Sequence, residues 1–67
     1  MTTERKHTPT ARSIRERRNA LRKSLRDLGN ETGVHFARLS QIERGLVPSL
    51  AEHQAIEIAL TRWEAAK

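Results

Sequence analysis

The chain has 67 residues, so it can form no more than one small domain, and it contains no cysteine. The lack of cysteine excludes a disulfide framework and a thiolate metal site, and it suits a reducing cytoplasm. No apolar run approaches the length of a membrane span, and no signal peptide is recognisable. We therefore expect a soluble cytoplasmic protein.

The positive charge is concentrated at one end of the chain. The formal net charge is +5, and residues 1–26 contain nine Lys or Arg against two Glu, whereas residues 27–67 contain four basic and six acidic residues. A cationic half on so small a domain is typical of nucleic-acid binding, because neutralised phosphates release counterions. Solubility, or attraction to an anionic membrane, would explain the charge as well.

The first predicted helix follows a polar N-terminal segment. Residues 1–8 show no periodicity, which predicts a flexible basic arm. Thr8 and Pro9 form the pattern of an N-cap and first helical residue, so helix 1 is expected from about Pro9 to Arg22. Arg18 recurs with Ile14, Leu21 and Leu25 at spacings of three and four, which turns it inward, where a guanidinium needs a carboxylate partner.

A short second helix is predicted between a capping box and a glycine. Ser24 and Asp27 have the spacing of a capping box, so the helix is expected to start at Ser24. Gly33 can adopt the left-handed conformation that ends helices. Gly29 lies inside the helix at a cost in stability, which indicates that another helix approaches closely.

Two further helices complete the predicted fold. The third is expected to begin near His35, to direct Leu39 and Ile42 inward and to end at Gly45. No segment alternates with period two, so we predict an all-α domain over residues 9–67. The fourth helix has an apolar stripe at i, i+3, i+4 and i+7: Ile56, Ala59, Leu60 and Trp63.

Apolar residues and glycines recur at fixed offsets between residues 24 and 45. They are Leu28, Gly29, Gly33, Val34, Leu39 and Ile42, followed by the sequence IERG at 42–45 and by Pro48. This pattern resembles the helix-turn-helix of the Cro/CI-type (lambda-repressor-like, XRE) DNA-binding family, and the similarity extends over about residues 14–60. It implies a compact domain of four, or five, helices with the helix-turn-helix at about 24–44.

The resemblance implies a sequence-specific regulator of transcription. In that interpretation the protein is a phage or bacterial repressor whose third helix, at about 35–44, lies in the major groove of double-stranded DNA. One such unit contacts few base pairs, so a homodimer on a palindromic operator is expected. The alternative is a protein-interaction module, such as an antitoxin or anti-repressor component. A helical hairpin that serves only for packing is the third possibility.

The outward side of the third helix contains the expected base contacts. Gln41 can form two hydrogen bonds with adenine, and Phe36 or Ala37 can pack on a thymine methyl. Whether Phe36 contacts DNA or folds back onto the core stays open. The full predicted set is His35, Phe36, Ala37, Ser40 and Gln41.

Phosphate contacts are expected around the same unit. They would come from Ser24 with the amides of helix 2 and from basic side chains, with Arg5, Lys6 and Arg12 as possible additions from the N-terminal region. A solvated surface charge is the alternative for each arginine. The predicted basic residues are Arg22, Lys23, Arg26, Arg38 and Arg44.

The resemblance also implies two structural features. Family members often pair an arginine at the position of Arg18 with the glutamate of the helix-ending signature, here Glu43. Trp63 either covers the core or joins Leu46 and Val47 in a dimer or partner surface.

The C-terminal part departs most from the family pattern. His53 and Glu57 replace apolar or small residues, and little chain is left for a fifth helix.

Other chemistry finds little support in the sequence. The three histidines, His7, His35 and His53, lack the spacing of metal ligands. No serine has a plausible His/Asp set, and no glycine-rich phosphate loop occurs. We therefore expect no metal, no cofactor and no enzymatic activity.

Overall fold

Four helices form the part of the chain, residues 9–66, that the computed structural model describes. No strand occurs within these residues, so the predicted all-α fold is confirmed. The N-cap predicted at Thr8, and the arm predicted for residues 1–8, lie outside them. The helices are α1 (Pro9–Ala20), α2 (Leu25–Thr32), α3 (Phe36–Glu43) and α4 (Leu50–Ala66).

Helix α1 ends two residues earlier than predicted, at Ala20 instead of Arg22. Arg22 has a left-handed backbone with φ 59°. Its amide donates to the Asn19 carbonyl at 3.0 Å, and the Lys23 amide donates to the Arg18 carbonyl at 3.1 Å. This pair of bonds closes the last turn of a helix. No glycine marks the position, so the sequence alone did not reveal it.

Helix α2 begins with the predicted capping box. The Asp27 amide donates to Ser24 Oγ at 2.9 Å, and the Ser24 amide donates to Asp27 Oδ2 at 2.9 Å. These two bonds satisfy amides that have no partner within the helix. The N-terminus of α2 is therefore fixed by local sequence.

Helix α2 ends at the predicted glycine. Gly33 has φ 80° and ψ 4°, and its amide donates to the Gly29 carbonyl at 2.8 Å. Thr32 Oγ1 donates to the Leu28 carbonyl at 2.7 Å and accepts from the Val34 amide at 3.1 Å. These bonds hold the backbone at Gly33 and at its neighbours Thr32 and Val34. The chain therefore leaves α2 through a short, fixed turn.

Helices α3 and α4 each begin at a side-chain cap. His35 Nδ1 accepts from the Ala37 amide at 3.1 Å, which starts α3 close to the predicted position. At α4 the Glu52 amide donates to Ser49 Oγ at 3.1 Å, and the Ser49 amide donates to Glu52 Oε1 at 2.8 Å. This second capping box was not predicted.

The core lies where the four helices meet. Helices α1 and α2 each pack against both α3 and α4. Leu21, Leu25, Val34 and Trp63 are partly buried around the core. Ala11 is the buried residue that the predicted stripes did not include. The buried apolar residues are Ala11, Ile14, Leu28, Leu39, Ile42, Ile56, Ala59 and Leu60.

Within residues 9–66 no helix combines the length and the apolar character needed to cross a membrane.

Candidate nucleic-acid interface

The turn between α2 and α3 packs directly on Gly29. A Cβ atom at this position would lie 2.9 Å from the Val34 carbonyl oxygen and 3.5 Å from the Phe36 amide nitrogen. The predicted close approach of another helix is therefore present: besides Val34 of the turn, Phe36 and Leu39 of α3 lie within 4 Å of that Cβ position. Because the turn lies against α2, it redirects the chain into α3 within three residues.

Helix α3 has one buried and one exposed side. Leu39, Ile42 and Glu43 are buried, at one side of the helix. Ser40 and Arg38 are half-buried. The exposed side chains lie on the other side. They include Arg44 and four of the five predicted base contacts, namely His35, Phe36, Ala37 and Gln41. The helix is held from one side, so the other is accessible.

An aromatic cluster forms the N-terminal end of that exposed side. Phe36 is 41% exposed, so it does not fold back into the core. Its ring stacks on His35, with centroids 4.6 Å apart and an interplanar angle of 24°, and Arg26 Cζ lies 5.0 Å from its centroid. His35 Nδ1 accepts the Ala37 amide, so the neutral ring has its proton on Nε2.

Arg18 and Glu43 join α1 to the end of α3. Arg18 Nε donates to Glu43 Oε2 at 2.7 Å, and Nη2 donates to Oε1 at 3.0 Å. Arg18 Nη1 also donates to the Lys23 carbonyl at 2.8 Å, and Glu43 is only 6% exposed. The hydrogen bond with Glu43 raises the pKa of Arg18, although burial opposes this shift. The guanidinium therefore faces its own domain.

The residues predicted to contact phosphates have different surroundings. Ser24 caps α2, Lys23 Nζ lies 4.9 Å from the Trp63 ring centroid, and Arg38 is bound to Glu52. Arg12, Arg22, Arg26 and Arg44 are exposed. Four of the predicted residues, Arg22, Lys23, Ser24 and Arg26, lie between the end of α1 and the first turn of α2.

A second charged network, not foreseen from the sequence, links α1 to α4. Arg17 Nη1 lies 2.8 Å from Glu57 Oε1, and Nη2 lies 2.8 Å from Glu64 Oε1. Both hydrogen bonds raise the pKa of Arg17, and the bond with Glu64 has the larger effect. His53 Nε2 lies 3.9 Å from Glu57 Oε2. The sequence signal for this network was the i, i+7 spacing of Glu57 and Glu64. The network provides partners for these polar residues of α4.

The predicted partner surface contains both packed and exposed residues. Trp63 packs against the core cluster, where Lys23 covers its ring. Leu46 is 41% and Val47 72% exposed.

In the described part of the chain, no three His, Asp or Glu residues are grouped so that they could hold a metal ion.

The carboxyl groups of the two capping boxes, Asp27 and Glu52, have lowered pKa values. Hydrogen bonds from Arg38 and from the Ser49 amide hold the pKa of Glu52 at about 2, below its ordinary value of 4.5. Hydrogen bonds from the amide and hydroxyl of Ser24 lower the pKa of Asp27. Both groups therefore favour the folded state in their ionised form.

We expect the fold to lose stability as the pH falls from about 4.5 to about 2, where Glu52 is protonated. A carboxyl with a depressed folded-state pKa contributes stability above its unfolded pKa, and this contribution disappears as pH falls through the folded value. The measurement is the urea midpoint between pH 6 and pH 2. In the double variant Asp27→Asn, Glu52→Gln the urea midpoint should depend less on pH. An unchanged dependence on pH would contradict the role given to these two carboxyl groups.

Two short helices joined by a tight turn, the second helix buried on one side and exposed on the other, define a helix-turn-helix domain. Residues 14–62 match the protein-family model described as Helix-turn-helix. The chain belongs to this family, of the Cro/CI (XRE) type, and the match indicates a DNA-binding helix-turn-helix regulator. No curated protein and no solved structure matches the chain.

Proposed function

We propose that the protein is a sequence-specific transcriptional regulator, a repressor of the phage or bacterial kind, that inserts α3 into the major groove. The observation that carries the proposal is the one-sided burial of α3: Leu39 and Ile42 hold it, while Phe36, Ala37 and Gln41 are exposed. An exposed helix face beside a hydrogen-bonded turn is what groove insertion requires.

Backbone contacts would fix the position of α3 on the duplex. Arg22, Arg26 and Arg44 are exposed cations next to the helix-turn-helix, and the α2 amides near Ser24 can bind a phosphate oxygen. In this proposal Arg18 is a positioning residue, because both its guanidinium edges bond within the domain.

A homodimer on a palindromic operator would extend the short sequence that one unit contacts. Leu46 and Val47 are exposed apolar residues in the segment after α3, which makes them candidates for contact with a second copy. Half-sites would then lie about one helical turn apart. An interaction module with a protein partner is the competing function, and the same exposed residues would serve it.

The test is a titration with random-sequence duplex at two salt concentrations, followed by selection of the bound sequences. The proposed regulator should bind more tightly at low salt, because counterions are released, and should enrich a palindrome. Absence of DNA affinity, or affinity that requires a second protein, would instead support the interaction module.

The exposed Phe36 ring is expected to contact a pyrimidine C5-methyl group. Replacing the contacted thymine of the selected site by deoxyuridine removes one methyl, worth about 0.8 kcal/mol, and should weaken binding about fourfold. The variant Phe36→Ala should be insensitive to that replacement. Gln41→Ala is the matched control: it should keep the sensitivity and lose preference at another base pair. Equal sensitivity of Phe36→Ala and the wild type would refute the contact.

A further inference from the structure

Arg38 is the basic side chain within α3 itself, and it is paired with a carboxylate of α4. Its Nε donates to Glu52 Oε2 at 2.8 Å, and its Nη2 donates to Oε1 at 3.0 Å. The Arg38 side chain is 40% exposed and the Glu52 side chain is 21% exposed. The pair therefore lies at the surface, where a DNA phosphate could compete for the same donors.

Glu52 is held in place independently of Arg38. Its Oε1 accepts from the Ser49 amide at 2.8 Å, and its own amide donates to Ser49 Oγ at 3.1 Å. A carboxylate with two oxygens in this fork geometry presents to an arginine the same acceptor pattern as a phosphate. Because the capping box fixes the carboxylate, Arg38 meets a preorganised anion inside its own domain.

We propose that Glu52 is an internal competitor that keeps Arg38 away from the DNA backbone. The inference rests on the proposed function. It assigns Arg38 to the Glu52 carboxylate also in the DNA complex, in contrast to the phosphate contact expected from the sequence. The domain then binds DNA with lower affinity and weaker salt dependence than its basic residues would allow.

The variant Glu52→Gln tests this competition. The glutamine side chain keeps a carbonyl oxygen for the Ser49 amide but loses the charge that holds Arg38. The guanidinium can then neutralise one more phosphate, so the slope of log K against log salt should steepen by about 0.9. Binding should also become tighter at low salt. Far-UV circular dichroism establishes that the variant is folded.

Glu31→Gln is the charge-matched control, because Glu31 pairs with Arg62 of α4 at 2.8 Å and the pair does not involve α3. It removes the same negative charge and should leave the slope at the wild-type value. In an Arg38→Gln background, Glu52→Gln should change the slope no more than Glu31→Gln does. A steepening that survives the loss of Arg38 would overturn the proposal.

Arg38→Gln alone gives a second measurement that does not depend on Glu52 variants. It should leave the wild-type slope unchanged, since Arg38 neutralises no phosphate while Glu52 holds it. A slope lower by about 0.9 would show a phosphate contact and would overturn the inference while leaving the proposed function intact. A loss of DNA affinity in Glu52→Gln would also overturn the inference and leave the proposed function intact, because the Arg38–Glu52 pair would then be needed to position α3. Wild-type protein without salt-dependent DNA binding would overturn the proposed function, and this inference with it.

Discussion

Replacement of Arg18 by alanine is expected to lower the free energy of unfolding by roughly 3 to 5 kcal/mol, the loss typical of a broken buried ion pair. The variant leaves Glu43, only 6% exposed, without the two bonds of 2.7 and 3.0 Å that satisfy it. It also removes the donor to the Lys23 carbonyl. A domain of 67 residues has a free energy of unfolding of only about 3 to 10 kcal/mol, so the loss is large.

The measurement is urea unfolding followed by far-UV circular dichroism. Arg15→Ala is the control, because Arg15 is an exposed arginine of the same helix, and it should stay within about 0.5 kcal/mol of the wild type. The double variant Arg18→Ala, Glu43→Ala should lose less than the sum of the single variants, since no buried charge is left unpaired. If Arg18→Ala kept its melting temperature and lost only DNA affinity, Arg18 would be a DNA contact instead.

Local sequence signals were sufficient to predict most of the architecture. Ser24 with Asp27 marked the start of α2, and Gly33 marked its end, because each acts through its own backbone neighbourhood. The end of α1 escaped detection because Arg22, not glycine, adopts the left-handed conformation there. Such a position depends on the surrounding structure more than on residue type.

The candidate site could be predicted only as far as helical periodicity extends. The period of 3.6 residues identifies which α3 side chains share the exposed side, and Phe36 and Gln41 lie there. Periodicity does not reveal which cation meets which carboxylate. The phosphate contact expected for Arg38 stays a prediction, and periodicity could not reveal its bond with Glu52, fourteen residues further along the chain.

The electrostatics of the domain depend on pairing as much as on charge count. Four arginines are bonded to glutamates of other helices: Arg17, Arg18, Arg38 and Arg62. Four of the basic residues that produce the cationic composition are therefore engaged within the fold, and under the proposed function the exposed arginines beside the helix-turn-helix are the candidates for phosphate contact. The salt slope should thus reflect fewer phosphates than the thirteen Lys and Arg residues suggest.

Replacement of Gly29 by alanine is expected to destabilise the domain although alanine is the better helix former. Alanine within a helix gains about 1 kcal/mol over glycine. The added methyl would lie 2.9 Å from the Val34 carbonyl oxygen, which is backbone and cannot rotate away. Overpacking of this kind costs about 1 to 3 kcal/mol, and the turn can relieve it only by moving the start of α3.

The DNA affinity of Gly29→Ala should therefore fall about tenfold even where the domain stays folded, since a displaced α3 loses base contacts worth about 1 to 3 kcal/mol each. Asn30→Ala is the matched control: Asn30 is an exposed neighbour in α2, and its replacement gains helix propensity while it removes side-chain atoms, so it cannot crowd the turn. Thermal unfolding and titration with the selected duplex measure both effects. If Gly29→Ala matched Asn30→Ala in both assays, the turn would be able to yield, and the geometry at Gly29 would not set the position of α3.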